Sequence, residues 1–230
     1  MPGKPKRVCG SYPSSVHARL AGLYSDRFGR EAITIDYSDG TFRTEIRGVM
    51  FRGSLDELCP VVPLPPGAPF VLYEANGLCS CTFEWALPVT LDGPARLRAA
   101  RLACTLRIGD PEDMNQELRL VLHEDAPVVA AVATDHNFEA AMWELTRGSL
   151  PPGVSLRACA TCRIAEYRPY VGSSFLGDLG CCRGNRAELA AARAAHSKPA
   201  LARAYDNRTE RVLETHVCPD YSARTPPVSI

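Results

Sequence analysis

Half of the ten cysteines in this 230-residue chain lie in its last third. They are Cys159, Cys162, Cys181, Cys182 and Cys218. The first two form a C-x2-C pair, a spacing in which a tight turn aims both thiolates at one metal ion, as in a zinc knuckle. A tetrahedral site of four cysteines is closed, so it holds structure and leaves no open position for a substrate.

The two remaining ligands must come from elsewhere, because the sequence has no second C-x2-C pair. Cys181 or Cys182 is the candidate for the third ligand. Adjacent side chains point in different directions on most backbones, so we expect only one of the two to bind. Cys218 is the candidate for the fourth ligand, and His216 is the alternative. This pattern favours structural zinc as the cofactor, ahead of an iron–sulfur cluster.

Three other interpretations of the cysteines stay open. A thioredoxin-like redox pair needs a C-x2-C that opens a helix within a βαβ unit, but Pro169 and Gly172 interrupt any long helix here. Disulfides are uncommon in a reducing compartment. Unrelated thiols that simply fill a core are the remaining alternative.

Composition and charge bear on location and partners. Lys+Arg and Asp+Glu both number 26, so the net charge is zero and does not favour nucleic-acid binding. No apolar run approaches the ~20 residues that cross a bilayer, and the first 15 residues do not resemble a secretory signal. We therefore expect a cytoplasmic protein with no membrane partner. Lys occurs only at positions 4, 6 and 198, whereas Arg and Ala abound, which suggests a GC-rich bacterial genome.

The sequence before residue 134 shows the alternation of half-buried β-strands. In residues 78–89, Cys79 and Cys81 share an apolar face with Phe83, and Cys104 lies on the inward face of residues 100–108, so all three are predicted to be core residues rather than metal ligands. Asp39-Gly40 indicates a hairpin turn, and the proline-rich residues 60–69 indicate a stiff loop. Gly48 is read as a bulge. Strands are expected at residues 31–37, 41–46, 49–51, 70–74, 78–89, 100–108, 118–122 and after 127.

The sequence after residue 134 shows helical patterns. Phe138, Met142 and Leu145 have the spacing of one helix face, and either Asp135 or Asn137 can cap it. Further helices are expected over 185–198 and 199–214, separated by the proline at 199. The predicted fold is α+β, an N-terminal antiparallel β-sandwich or barrel followed by a small zinc-knuckle module with C-terminal helices. The expected domains are a β-rich domain with a flexible N-terminus (1–134), a connecting helix and Pro-Gly linker (135–153) and a cysteine-rich module (154–230).

The cysteine motifs resemble those of an uncharacterised, mostly actinobacterial protein family of unknown function. The shared pattern is Cys159-x2-Cys162, then Tyr-x-Pro at 167–169, Cys-x-Arg at 181–183 and Cys-Pro at 218–219. The EWALPV and LRIGDP stretches are similar too. Departures occur at residues 165 and 166, where the family has Ser and Asp, and at Cys182, where it has Phe. The resemblance implies that Cys181 is the ligand and Cys182 a packing residue. The ligand set is then Cys159, Cys162, Cys181 and Cys218.

The sequence shows no recognisable catalytic motif, and its five histidines form no paired ligand spacing. An aromatic and basic segment beside the cysteines could bind a partner, although packing around the metal would also explain it. Its residues are Tyr167, Arg168, Tyr170 and Arg183. We predict a zinc-stapled interaction or accessory protein with an unidentified protein partner. The alternative is an enzyme that uses its thiols or a cleft on the β domain.

Overall fold

The computed structural model describes residues 17–38, 40–73, 77–94, 96–113, 115–125, 127–134, 137–169 and 176–224. Four residues named above, Asp39, Asp135, Tyr170 and Gly172, lie outside these ranges. The helices of the described part are all too short or too polar to span a bilayer.

A large antiparallel sheet dominates the structure, in agreement with the β-rich first part predicted from the alternation. Its order is β5-β4-β3-β2-β1-β6-β7-β8-β9, and β10 pairs with β6 beyond the end of β1. The strands are β1 His17–Asp26, β2 Gly29–Ser38, β3 Thr41–Ile46, β4 Val49–Ser54, β5 Glu57–Pro60, β6 Cys81–Asp92, β7 Leu97–Ile108, β8 Gln116–His123, β9 Val128–Thr134 and β10 Ser155–Arg157.

The described strands of the first part are hydrogen-bonded into one sheet, and no described ladder joins β5 to β9. The predicted sandwich or barrel packing stays a prediction. Apolar side chains from both ends of the sheet nevertheless belong to one core cluster. The alternation specifies which face each side chain takes, but it carries no information about which strands lie side by side.

The predicted inward face of residues 78–89 is confirmed. Cys79, Cys81, Phe83, Trp85 and Leu87 are all at most 5 % exposed. Cys104 on β7 is also buried, as expected. These three cysteines therefore lie in the main core. A free cysteine is a small, weakly polar side chain that is often buried in this way.

Some local predictions need correction. Gly48 is in a two-residue turn with Arg47 between β3 and β4, rather than a bulge, and both residues have positive φ. That conformation suits the twist of a β-hairpin. Residues 70–73 form no strand, because only Leu72 makes a bridge, to Leu78.

The first strand, β1, was missed from the sequence. Leu20 and Tyr24 are buried on its inner face, but Gly22 stands between them and interrupts the apolar alternation. A Cβ at Gly22 would approach the carbonyl oxygen of Glu84 to 3.0 Å. The close approach of β6 to β1 therefore explains why a glycine occupies this position, and this glycine interrupts the pattern from which the strand could have been predicted.

A second, smaller sheet carries the cysteine-rich segment, with the order β11-β12-β13. Its strands are β11 Ala165–Glu166, β12 Leu179–Cys181 and β13 Glu210–Val212. The helices are α1 Phe138–Glu144, which continues into a π-helical turn over Leu145–Ser149, α2 Arg186–Ala194 and α3 Lys198–Asp206. Asn137 caps α1 through its side chain, and Ser197 caps α3.

The last predicted helix is too long by about two turns. It ends at Asp206, and residues 210–212 form β13 instead. Asn207 caps the end of α3, and Thr209 donates its backbone N–H to the carbonyl oxygen of Cys181, 2.8 Å away. Pairing with β12 thus outweighs the helical pattern of the local sequence.

Candidate metal centre

The C-x2-C pair lies on a tight turn directly after β10. Residues 159–161 form a single 3-10 turn, and the N–H of Cys162 donates to the carbonyl oxygen of Cys159 at 3.0 Å. The hydroxyl of Thr161 lies 2.6 Å from the carbonyl oxygen of Leu156, to which it donates. The turn is thereby anchored to the large sheet through β10. A thioredoxin-like site would require an α-helix that begins at the C-x2-C pair. None of the described α-helices begins there.

The third predicted ligand, Cys181, is brought to this turn by the small sheet. Cys181 ends β12 and pairs with Ala165 of β11, three residues after Cys162. It also pairs with Glu210 of β13. Long-range pairing therefore closes the interval of 18 residues between the second and third cysteines in the sequence.

The C-terminal segment runs alongside the same turn and brings the fourth cysteine. The N–H of Cys159 donates to the carbonyl oxygen of His216 at 2.7 Å, and Cys162 forms a bridge with Ala223. Cys218 lies between these two attachment points, in a turn closed by the N–H of Tyr221 donating to its carbonyl oxygen. The segment after residue 214 is thus hydrogen-bonded to the C-x2-C turn.

All four predicted ligands are buried, with exposed fractions between 2 % and 8 %. Burial raises the pKa of the Cys159 thiol far above its usual range, and the nearby thiols of Cys218, Cys162 and Cys181 raise it further. Burial also raises the pKa of Cys181, against the opposing effect of a backbone hydrogen bond and positive charge from Arg183. Cys159, Cys162 and Cys181 share one small buried cluster, and the Cys218 thiol is near enough to contribute to the pKa shift of Cys159.

Four buried thiols in one place suit a soft cation. Without a cation, burial favours the protonated thiols of Cys159 and Cys181, because a thiolate at either position would be poorly solvated. A bound Zn²⁺ reverses this preference, because a coordinating thiol loses its proton. Among the described residues, no three His, Cys, Asp or Glu side chains are already in a geometry that would hold a metal ion.

Cys182 lies in a different cluster from its neighbour. It is fully buried with Leu189 and Ala204 between α2 and α3, and its thiol donates to the carbonyl oxygen of Ala204 at 3.6 Å. Its neighbour Cys181 belongs to the cluster that contains Cys159 and Cys162. The structure thus separates the two adjacent cysteines, one toward the turn and one toward the helices.

His216, the alternative fourth ligand, lines a surface cavity of about 570 Å³ that also contains His17 and Leu87. Burial lowers the pKa of His216, and the positive charge of Arg183 lowers it further. Its backbone carbonyl contacts Cys159 as described above, so the histidine lies next to the turn even though its side chain borders the cavity.

The predicted binding segment does not form one exposed surface in the described part of the chain. Tyr167 is 9 % exposed, and its hydroxyl donates to Oε1 of Glu214 at 3.3 Å. Arg183 makes an ion pair with Glu210. Only Arg168 is exposed among the three described residues. The packing interpretation of these side chains therefore fits better than a stacking platform.

Two residues that position the centre were not identified from the sequence. Glu214 is fully buried and accepts the N–H of Gly177 at both carboxylate oxygens, at 3.1 and 2.9 Å. Burial raises its pKa to about 8. Arg193 of α2 pairs with Glu166 of β11 at 2.7 Å and donates to the carbonyl oxygen of Ala165. Neither role has a local sequence signal, because both depend on long-range contacts.

Residues 18–165, well over half of the chain, match a family of unknown function (DUF6304). The matched range contains Cys159 and Cys162 and ends before Cys181 and Cys218. This agrees with the resemblance to a family without a known role, while the bacterial distribution and the motif pattern stay predictions. Comparison with curated proteins gives no match, and neither does comparison with solved structures.

Proposed function

Because the chain belongs to that family of unknown function, its role must be argued from its own residues, and we propose a binding protein stapled by one zinc ion. Zinc would be held by Cys159, Cys162, Cys181 and Cys218. The observation that carries the proposal is the burial of these four cysteines on three segments that backbone hydrogen bonds join around one turn.

A structural role for zinc suits the small sheet around these cysteines. The small sheet has only two- and three-residue strands, and a separate small cluster of buried residues supports it. Such a module gains much of its stability from a metal staple. In a closed four-cysteine site the metal would have no open position, so the proposed activity is binding rather than catalysis. A cytoplasmic location, which keeps thiols reduced, belongs to the same proposal.

The redox alternative receives less support from the geometry. A reactive cysteine needs a lowered pKa and access to solvent, whereas Cys159 is 3 % exposed and burial raises its pKa. The charged groups that lower a thiol pKa are found near Cys181, not near Cys159.

The first test is metal analysis of the purified full chain and of two cysteine variants. We expect equimolar zinc in the unmodified chain and in Cys182→Ser, and a loss of nearly all zinc in Cys159→Ser. Both cysteines are buried, so Cys182→Ser controls for the general effect of placing a serine in a buried site. Folded, metal-free protein with a titratable low-pKa thiol at Cys159 would overturn the zinc proposal and favour redox chemistry.

A second pair of variants identifies the fourth ligand. Cys218→Ser should release zinc, whereas His216→Ala should retain it, since the His216 side chain borders the surface cavity. The reverse result would assign the fourth position to the imidazole. Zinc content and circular dichroism should be measured on the same samples, so that metal loss can be distinguished from unfolding.

A further inference from the structure

An arginine-rich row crosses the outer face of the first four strands. The register places Arg19 opposite Asp36, Asp36 opposite Arg43, and Arg43 opposite Arg52. Side chains that face each other across neighbouring strands share one face of the sheet. The four residues therefore form a continuous row on β1–β4, on the side opposite the buried core.

This row lines a cavity of about 630 Å³ together with His17 and Thr41. The volume is in the range of small-molecule sites. Three guanidinium groups and one carboxylate leave a net charge of +2 in the row, even though the whole chain has a net charge of zero. The one carboxylate among the described lining residues, Asp36, lies 3.6 Å from Arg19, and both side chains are more than half exposed.

Arg43 and Arg52 form the unusual part of the row. They are exposed and directly opposite each other, and neither guanidinium group makes a hydrogen bond or an ion pair with any described residue. Like charges directly opposite each other destabilise an antiparallel pair. The fold therefore places two guanidinium groups opposite each other at the surface of a cavity whose one described carboxylate, Asp36, pairs with Arg19.

We propose that this cavity binds a small phosphorylated molecule through Arg43 and Arg52. Guanidinium groups present their N–H donors in a planar fork that matches phosphate oxygens, and hydrogen bonds between two charged groups are stronger than neutral ones. A phosphate dianion placed between the two side chains would remove their mutual repulsion. The hydroxyl of Thr41 at the cavity supplies a further donor. The site is separate from the cysteine cluster, so it does not depend on the zinc proposal.

The test is calorimetric titration of the full chain with inorganic pyrophosphate at low ionic strength. Arg43→Ala and Arg52→Ala should each weaken binding roughly tenfold or more, because each removes a charge-assisted contact. Arg119→Ala is the matched control, since Arg119 is an exposed arginine on β8 outside this cavity. Equal affinity in all three variants, or no binding by the unmodified chain, would overturn the proposal.

A charge-reversal variant distinguishes lost binding from lost folding. Arg52→Glu creates an opposite-charge pair with Arg43, so its melting temperature should be at least that of the unmodified chain, while pyrophosphate binding should disappear. A short single-stranded RNA that binds more tightly than pyrophosphate, with the same dependence on Arg43, would overturn the small-molecule assignment in favour of a nucleic-acid site. Zinc content should stay constant across these variants, which keeps this result independent of the metal test.

Discussion

Asp56 is the clearest case in which a single residue works against the stability of this fold. It lies in the turn between β4 and β5 and is 9 % exposed, and its Oδ1 atom has no hydrogen-bond partner among the described residues. Burial raises the pKa of this carboxyl to about 6, with Glu57 and Asp178 adding to the shift and a hydrogen bond from Ser54 opposing it. The folded state therefore holds the proton more tightly than the unfolded chain does.

This pKa predicts the pH dependence of stability. Above about pH 6 the folded state must bury a charge, and below the unfolded pKa near 4 neither state carries one. The contribution of Asp56 to stability should therefore rise as the pH falls from about 7 toward 4. Asp56→Asn should remove this dependence and stabilise the protein at about pH 8, on the order of 2 kcal/mol.

Urea unfolding of both proteins at several pH values measures this effect. Asp36→Asn provides a control, because that carboxylate is more than half exposed and its neutralisation should leave the slope with pH nearly the same. Parallel pH profiles for the parent and Asp56→Asn would contradict the assigned cause.

At the level of elements, one turn residue connects distant parts of the large sheet. The guanidinium of Arg47, between β3 and β4, donates to both carboxylate oxygens of Asp26 at 2.6 and 2.8 Å. It also donates to the carbonyl oxygen of Pro69 at 2.7 Å. The Asp26 side chain is fully buried. Burial by itself would raise the pKa of Asp26, but hydrogen bonds from Arg47, Tyr24 and the Phe28 N–H lower it.

Replacement of this arginine by lysine should destabilise the sheet. An ammonium cannot reproduce the planar fork that bridges both oxygens of Asp26, so Arg47→Lys leaves a buried carboxylate incompletely paired. We expect a loss on the order of 2 kcal/mol in the free energy of unfolding, measured by urea titration. Arg52→Lys, at an exposed position on β4, should change it very little. Equal effects of the two variants would show that the ion pair is not the cause.

At the level of the whole molecule, two cores differ in what supports them. The main cluster contains side chains from the entire large sheet and from α1. The smaller cluster holds three of the four proposed ligands with short strands around them. Leu176, Leu213 and the buried Glu214 connect the two parts, and Gly177 accepts a hydrogen bond from Tyr37 of β2 at 3.1 Å. If zinc binds as proposed, the small sheet should therefore depend on it more than the large sheet does.

Chelation of the metal tests this difference by amide hydrogen exchange. A strong zinc chelator should speed exchange in β11–β13, while the central strands β6–β8 should keep their protection. Cys159→Ser, which cannot hold the metal, should show fast exchange in β11–β13 with or without the chelator. Uniform loss of protection over both sheets would indicate that the two parts unfold as one unit.

The sequence by itself determined the faces of the long strands, the core position of Cys79, Cys81 and Cys104, and the start of α1. These features follow from hydrophobic periodicity and helix capping, and both depend on residues that are close together in the sequence. It also singled out the cysteines as the most informative cluster. It did not show β1, because Gly22 interrupts the alternation, and it extended the last helix across β13.

Only the tertiary structure decided that the strands form one hydrogen-bonded sheet, that Cys181 and Cys182 lie in different clusters, and that Cys218 lies next to the C-x2-C turn. Only the structure likewise shows that Arg43 of β3 and Arg52 of β4 lie opposite each other, because their positions depend on strand register. Strand register and the approach of distant segments depend on the whole chain, since pairing energy comes from residues far apart in sequence. That long-range dependence is the reason local patterns could identify candidate residues but could not assemble either site.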